Sequence, residues 1–259
     1  MTTADSSPAR LAARLRALHV PGRPLILPNV WDAASARVVA EAGFPAVATG
    51  SAPVAASLGH PDGEMVPLAD MLAAVARVVR AVGVPVTADM ERGYGLGPAE
   101  FAERLAATGA VGCNLEDTDP RTGRLVEAGE QADFLAAVRA ADPDLVVNAR
   151  TDVLVRAEAP ARERAAEAAR RVRLYLEAGA DCVYPFGPLD EETTAAMVAA
   201  AGGRPVNVLA RPGGPATPRL AELGVARISY GHQLHTAALR HLGDLVAIVR
   251  DGGSPFGPG

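Results

Sequence analysis

The sequence predicts an α/β protein built as a (β/α)8 barrel of the TIM type. Short apolar runs alternate with longer alanine-rich, arginine-punctuated segments of helical period, which is the rhythm of repeated βα units. Eight such units fit into 259 residues; a doubly wound sheet of that length ordinarily has fewer strands or a second domain. The composition, 49% hydrophobic and 21% charged, suits a large buried core and excludes a disordered or collagen-like chain.

The strands are expected at 25–29, 46–49, 84–89, 112–116, 145–150, 182–185, 205–209 and 227–230, each about the length of a buried parallel strand. A helix over 7–19 precedes the first of them. Asp32 opens a helix over 33–42, Pro67 precedes 71–82, Pro98 precedes 101–108 and Asp190 opens 191–201. Aspartate accepts the free N–H groups of a first turn, and proline is tolerated there because its missing N–H has no partner to lose. Gly43, Gly83, Gly109, Gly179, Gly202 and Gly224 follow helical segments, where a left-handed residue ends a helix without a Cβ penalty. A helix over 234–250 closes the repeat, and the Gly- and Pro-rich 252–259 reads as a frayed, disordered tail. No shift in composition marks an internal boundary, so 1–259 is expected to form one barrel domain with an N-terminal helix.

Composition also excludes chemistry. All 25 basic residues are arginine, so no lysine is present to form an imine with a carbonyl substrate or with pyridoxal phosphate. The net charge of -5 gives no general attraction for nucleic acid or an anionic membrane, and neither is expected as a partner. Cys113 and Cys182 lie far apart in apolar runs and read as core residues, not a disulfide. The start of the chain has no secretory pattern and no apolar run reaches the roughly 18 residues of a membrane span, so a cytoplasmic location is expected.

In barrel enzymes the chemistry gathers at the carboxyl ends of the strands. There the sequence places Asn29, Thr49-Gly50-Ser51, Asp89 and Glu91, Glu116 and Asp117, and Arg150, with Asn207 on the seventh strand. Buried carboxylates are costly unless paired or bound to a metal. Asp89, Glu91 and Glu116 come from neighbouring strands without a histidine or cysteine beside them, a donor set that suits Mg2+ or Mn2+ and not zinc. An extended Asp-x-Glu would point both acids to one face. The alternative is a buried ion-pair network with Arg92 and Arg150. Gly93-Tyr94-Gly95-Leu96-Gly97 lacks the G-x-G-x-x-G spacing of a dinucleotide loop and reads as a tight turn beside the acids. His60, His232, His235 and His241 read as structural or surface residues. Arg121 and Arg124 are candidates for contact with an anionic substrate, or a solvated turn.

The stretches PNVWDAASARVVAEAGFPAVATGSAPVAASLGHPDG, VPVTADMERGYG, GCNLEDT, VVNARTD and RPVNVLA, in this order and each at a strand end, resemble the isocitrate lyase/phosphoenolpyruvate mutase superfamily over 24–242. The resemblance implies a Mg2+-dependent barrel enzyme, usually a homodimer or homotetramer, whose eighth helix is often exchanged between subunits. It implies Asp89 as direct metal ligand, with Glu91, Glu116 and Asp62 as the surrounding acids. Glu91 departs from the aspartate usual at its place. Ser51 and Ala52 match a segment whose N–H groups hold substrate oxygens, Arg150 an arginine on the substrate's anionic end, and Asn207 a polar substrate contact. Asp62, Arg150 and Ser51 are thus the expected catalytic residues.

The shared logic is stabilisation of an enolate, and the loop after the fourth strand sets the reaction. Isocitrate and 2-methylisocitrate lyases carry Lys-Lys-Cys-Gly-His there; this loop reads DTDPRTGRLVEAGE, without Cys or His, which argues against those two activities. The loop also lacks the lysine and asparagine of phosphonopyruvate mutases. Three expectations follow. One is a lyase acting on a small 2-oxo or hydroxy di- or tricarboxylate. Another is P–C chemistry on a phosphonate, and the third is a catalytically silent, metabolite-binding barrel. Asp117 and Asp119 are candidate acids or solvated loop carboxylates.

Overall fold

The computed structural model describes residues 7–256. Its first strand is broken in two, β1 (Leu25–Leu27) and β2 (Asn29–Val30), at Pro28, which has no N–H to donate. There follow β3 (Val47–Thr49), β4 (Val86–Asp89), β5 (Gly112–Leu115), β6 (Val146–Thr151), β7 (Cys182–Pro185), β8 (Asn207–Leu209) and β9 (Arg227–Ser229). Every ladder is parallel, and the strands run in the orders β2-β3-β4-β5-β6-β7 and β1-β9-β8. The two arcs meet at Pro28 and at one parallel bridge, Val183 to Val206, where the Val183 N–H donates to the Pro205 carbonyl at 3.1 Å. All the expected strand positions of a (β/α)8 barrel are therefore filled, although the hydrogen-bonded ladder is not continuous around the ring.

The helices are α1 (Pro8–Ala17), α2 (Ala33–Glu41), α3 (Ser51–Ser57), α4 (Leu68–Ala81), α5 (Pro98–Thr108) and α6 (Ala128–Ala141). After them come α7 (Val153–Arg156), α8 (Ala161–Glu177), α9 (Glu191–Ala200), α10 (Thr217–Glu222) and α11 (Gln233–Arg250). Asp32 and Asp190 cap as expected, accepting from the N–H groups of Ser35 at 2.7 Å and Thr193 at 2.8 Å. Helices α4 and α5 start three residues before their expected apolar periodicity, because a proline at or just before the first turn extends the helix upstream. The stretch 51–66, between the second expected strand and Pro67, contains α3. It is too short for a readable period and is held by burial of Val54 and Ala55.

Most of the apolar core lies between strands and outer helices, around residues such as Met71, Phe101, Leu105, Leu135, Tyr175 and Met197. A second cluster plugs the barrel floor, where Leu15 of α1 meets Leu25, Leu27 and Val146. Gly112 makes room for it: a Cβ there would lie 2.8 Å from Leu15 Cδ2. Asp181 ties this end together, pairing with Arg16 at 2.7 Å and with Arg139, and accepting from the Val147 N–H at 2.8 Å. Above the plug the interior is polar. Asn114 Oδ1 accepts from Asn148 Nδ2 at 2.8 Å and from Arg227 Nη2 at 3.2 Å, and Arg227 is 1% exposed. Cys113 and Cys182 are buried and unpaired, and burial raises both thiols, that of Cys182 to about 12.

Helix α11 leans on the barrel through His235, whose ring packs edge-on against Trp31 at 4.9 Å between centroids. Beyond it Leu239, Leu242, Val246 and Val249 are all exposed, Val246 at 57%. No helix among the described residues is long and apolar enough to cross a membrane. The expected tail shows a turn and bends up to Phe256; 257–259, like 1–6, lie outside the described residues.

Candidate active site

Asp89 ends β4 at the carboxyl face of the barrel and is locked from both sides. Its backbone N–H donates to Thr49 Oγ1 at 3.0 Å, and its Oδ2 accepts from the Ser51 N–H at 3.1 Å. The Ser51 amide expected on a substrate oxygen is thus turned to Asp89. The other oxygen, Oδ1, is buried and has no partner. Asn29 fixes the neighbouring strand ends: its Nδ2 donates to the Thr49 carbonyl at 2.9 Å, and its Oδ1 accepts from the N–H groups of Tyr230 and Gly231, both at 2.8 Å.

The extended Asp-x-Glu reading needs correction. The strand stops at Asp89, and Glu91 has φ 49°, in the left-handed region. The chain turns back there, closed by Gly93 N–H to Met90 C=O at 2.8 Å, so Glu91 reaches the cluster from a turn and not along a strand face. Its Oε2 accepts from the Glu64 N–H at 2.8 Å and its Oε1 from the Tyr94 hydroxyl at 3.2 Å. Burial, and then the charges of Asp62 and Asp89, push its carboxyl up to about 8. Gly93 and Gly95, at φ 96° and 67°, form the tight turn read from the glycine run.

Glu116, just beyond β5, meets Arg150 with Nη1 to Oε2 at 2.7 Å, while Arg150 Nε and Nη2 hold Asp152 at 2.6 and 3.1 Å. The guanidinium also lies over the Phe186 ring, 4.0 Å from its centroid. Burial raises the Glu116 carboxyl well above its ordinary value, Arg150 opposes this, and Asp152 and Asp89 add to it. The ion-pair alternative therefore holds for Glu116 but not for Glu91. Arg92 instead reaches Glu130 at 3.4 Å and lies over Phe134. Asp62 stands exposed at the rim; partial burial and the Asp89 charge raise its carboxyl, and the Ser51 hydroxyl lowers it. Asn207 is buried, with Oδ1 accepting from Ser229 Oγ at 3.3 Å and Nδ2 without a partner.

Asp117 is not a solvated loop acid. It is fully buried, accepting from the Tyr175 hydroxyl at 2.7 Å, Arg171 Nη1 at 2.9 Å and the Asp152 N–H at 2.8 Å. It holds Asp152, and through it Arg150, in place. Asp119 is lowered by the N–H of Arg121, and Arg121 itself is exposed. Sequence reasoning missed Glu64, Tyr94 and Phe186. Glu64 and Phe186 act through partners on other segments, and Tyr94, inside the glycine run, meets Glu91 only because the chain turns back there. Beside the acids, Glu64, Arg92, Tyr94, Leu96, Arg121 and Phe134 line part of a cleft of about 530 Å3.

Among the described residues no three His, Cys, Asp or Glu side chains converge as a ready-made metal cage. The donors do fit a hydrated divalent ion, because Mg2+ keeps several waters and takes only one or two carboxylates. Asp89 Oδ1 is a buried, unpartnered acceptor, and burial raises the carboxyls of Asp62, Glu91 and Glu116, with the Asp89 charge adding to each. An added cation relieves both conditions.

The phosphoenolpyruvate phosphomutase family model matches residues 15–250. A crystal structure of a candidate phosphonomutase from Burkholderia cenocepacia J2315 superposes with a TM-score of 0.84 at 44% identity, over 91% of this chain and 98% of that one. A chloroplastic carboxyvinyl-carboxyphosphonate phosphorylmutase of Arabidopsis thaliana is 33% identical over 95% of this chain and 76% of its own. An oxaloacetate decarboxylase of Rhodopseudomonas palustris strain BisA53 is 31% identical over 88% and 80%. The chain belongs to the phosphoenolpyruvate phosphomutase family, within the isocitrate lyase/phosphoenolpyruvate mutase superfamily of lyases and mutases.

Proposed function

We propose that this chain is a Mg2+- or Mn2+-dependent lyase that breaks a carbon–carbon bond in a small 2-oxo or hydroxy di- or tricarboxylate, leaving a pyruvate-like enolate. The observation that carries the reading is the charge balance at the strand ends. Asp62, Asp89, Glu91, Glu116 and Asp152 stand together, and among the described residues the cation in ion-pair contact with this group is Arg150, which pairs with Glu116 and Asp152. Asp89 would hold the ion directly, with Glu91 and Glu116 around it. When bound, the ion supplies positive charge opposite the oxygen on which negative charge develops.

The chain's own residues supply the rest. Arg150 donates from Nε and Nη2 to Asp152 and pairs through Nη1 with Glu116, which leaves N–H hydrogens on Nη1 and Nη2 for the anionic end of the substrate. Asn207 Nδ2 is a free donor in the interior. The Ser51 hydroxyl steadies Asp62 at the rim, where its carboxyl is placed to move a proton.

P–C chemistry on a phosphonate is the second reading, drawn from relatives named for it. Against it, a phosphonate brings more negative charge than a carboxylate to a site already rich in acids. The deciding experiment measures pyruvate or oxo-acid release from 2-methylisocitrate, 2,3-dimethylmalate, oxaloacetate and phosphonopyruvate, with Mg2+ and with EDTA. Mg2+-dependent release from one of the first three supports the lyase. Turnover of phosphonopyruvate alone replaces it with the second reading, and turnover undiminished by EDTA removes the ion from either.

We also propose a single barrel domain that assembles as a homodimer or homotetramer through α11. Its exposed row of Leu239, Leu242, Val246 and Val249 is an apolar face of the kind that marks a protein interface.

A further inference from the structure

Three non-glycine residues among those described have positive φ: Glu64 at 58°, Glu91 at 49° and Tyr94 at 57°. All three are joined by hydrogen bonds. The Glu64 N–H donates to Glu91 Oε2 at 2.8 Å, Glu64 Oε1 accepts from the N–H groups of Arg92 at 3.0 Å and Tyr94 at 2.7 Å, and the Tyr94 hydroxyl donates to Glu91 Oε1 at 3.2 Å. Left-handed backbone at a non-glycine residue persists only where its surroundings over-determine it. Here the surroundings are largely the other two members. The segment carrying Glu64 belongs to the connection after α3, whereas Glu91 and Tyr94 belong to the turn after β4. The link therefore crosses between two loops at the mouth.

We propose that Glu64 is a positioning residue for the divalent-ion site: its carboxylate, by holding the N–H groups on both sides of Gly93, clamps the turn that presents Glu91. The inference rests on the metal-dependent reading of the acidic cluster. The clamp acts at two points. One Glu64 oxygen takes two backbone donors of the turn and so sets the direction in which Glu91 leaves the chain. The Glu64 backbone, with the Tyr94 hydroxyl, holds the two Glu91 oxygens separately and leaves its carboxylate one orientation beside Asp89. The work is done by the acceptor and not by the charge, so an amide of the same length should serve. Partners that orient a metal-binding carboxylate are worth ten- to a hundredfold in affinity in other metal sites.

The test is Mn2+ binding to the full chain, read by electron paramagnetic resonance of the free ion, for the native protein, Glu64→Gly and Glu64→Gln. Glycine adopts the left-handed backbone freely and keeps the N–H that reaches Glu91, so Glu64→Gly removes the acceptor while preserving the loop. The expected results are Mn2+ affinity weakened about tenfold in Glu64→Gly and held within about twofold of native in Glu64→Gln. Native-like affinity in Glu64→Gly overturns the inference. Equal weakening in both variants overturns it too, since the charge would then be what matters. No Mn2+ binding by the native protein takes down the metal reading itself, a result distinguishable from either.

Discussion

Arg150 and Glu116 form a contact of 2.7 Å between neighbouring strand ends, and the same guanidinium holds Asp152 with its remaining two nitrogens. One cation thus neutralises two carboxylates that would otherwise repel each other at the barrel mouth. Arg150→Met leaves both without it. Removing one member of a buried pair costs about 3–5 kcal/mol, and turnover should fall by at least about a hundredfold because the anionic end of the substrate is no longer held in position. Urea denaturation and steady-state kinetics measure the two effects. Adding Glu116→Gln should restore part of the stability and none of the activity; recovery of both would place Arg150 outside the chemistry.

The barrel floor gives a packing prediction. At Gly112 a Cβ would meet Leu15 Cδ2 at 2.8 Å and Thr87 Oγ1 and the Val146 carbonyl at 3.0 Å. Gly112→Ala should destabilise by about 1–3 kcal/mol through overpacking, and Leu15→Ala by about 2–5 kcal/mol through the cavity it leaves. Because the new methyl points at the vacated space, the double variant should cost less than the sum, as denaturant midpoints would report.

His19 is buried at the same end. Its Nδ1 donates to the Leu15 carbonyl at 2.8 Å and its Nε2 has no partner. Burial and Arg227 together lower its pKa to about 4. Since the folded value lies below the unfolded one, the unfolded chain binds the proton more readily. Stability from this residue is complete above about pH 6.5 and is lost as pH falls toward 4, by at most about 3 kcal/mol. Thermal midpoints between pH 7 and 4 should fall less steeply in His19→Leu than in the native protein; parallel curves would remove His19 from the acid response.

Helix α11 predicts assembly. Leu242 and Val246 stand one turn apart on its exposed apolar face. The native chain should elute from size exclusion, with light scattering, as at least a dimer, and Leu242→Asp with Val246→Asp should shift it toward the monomer. A native chain that is monomeric at micromolar concentration contradicts the interface.

Much of this was legible beforehand because it is local. A carboxylate at the end of an apolar run, such as Asp89, can be read without knowing its neighbours, and so can the caps at Asp32 and Asp190. The pattern places Glu91 in the acidic cluster but not in its turn, since alternation along a strand says nothing of where the strand stops. For Asp117 the sequence leaves a candidate acid and a solvated loop carboxylate open, and the structure shows a buried anchor. Its buried partners Arg171 and Tyr175 stand 54 and 58 residues away, beyond the reach of any local pattern.

The sequence by itself determined the (β/α)8 rhythm and the strand ends that carry acids, because periodicity and the strand-end rule act over a few residues, and its motif stretches carried the resemblance to the family the chain belongs to. Only the tertiary structure decided which charges meet. Arg150 takes Glu116 while Arg92 turns away to Glu130, Glu64 binds the turn of Glu91, and α11 leaves its apolar face uncovered. These choices depend on how parallel strands register and how loops cross at the mouth, where segments distant in the chain compete for the same few hydrogen bonds.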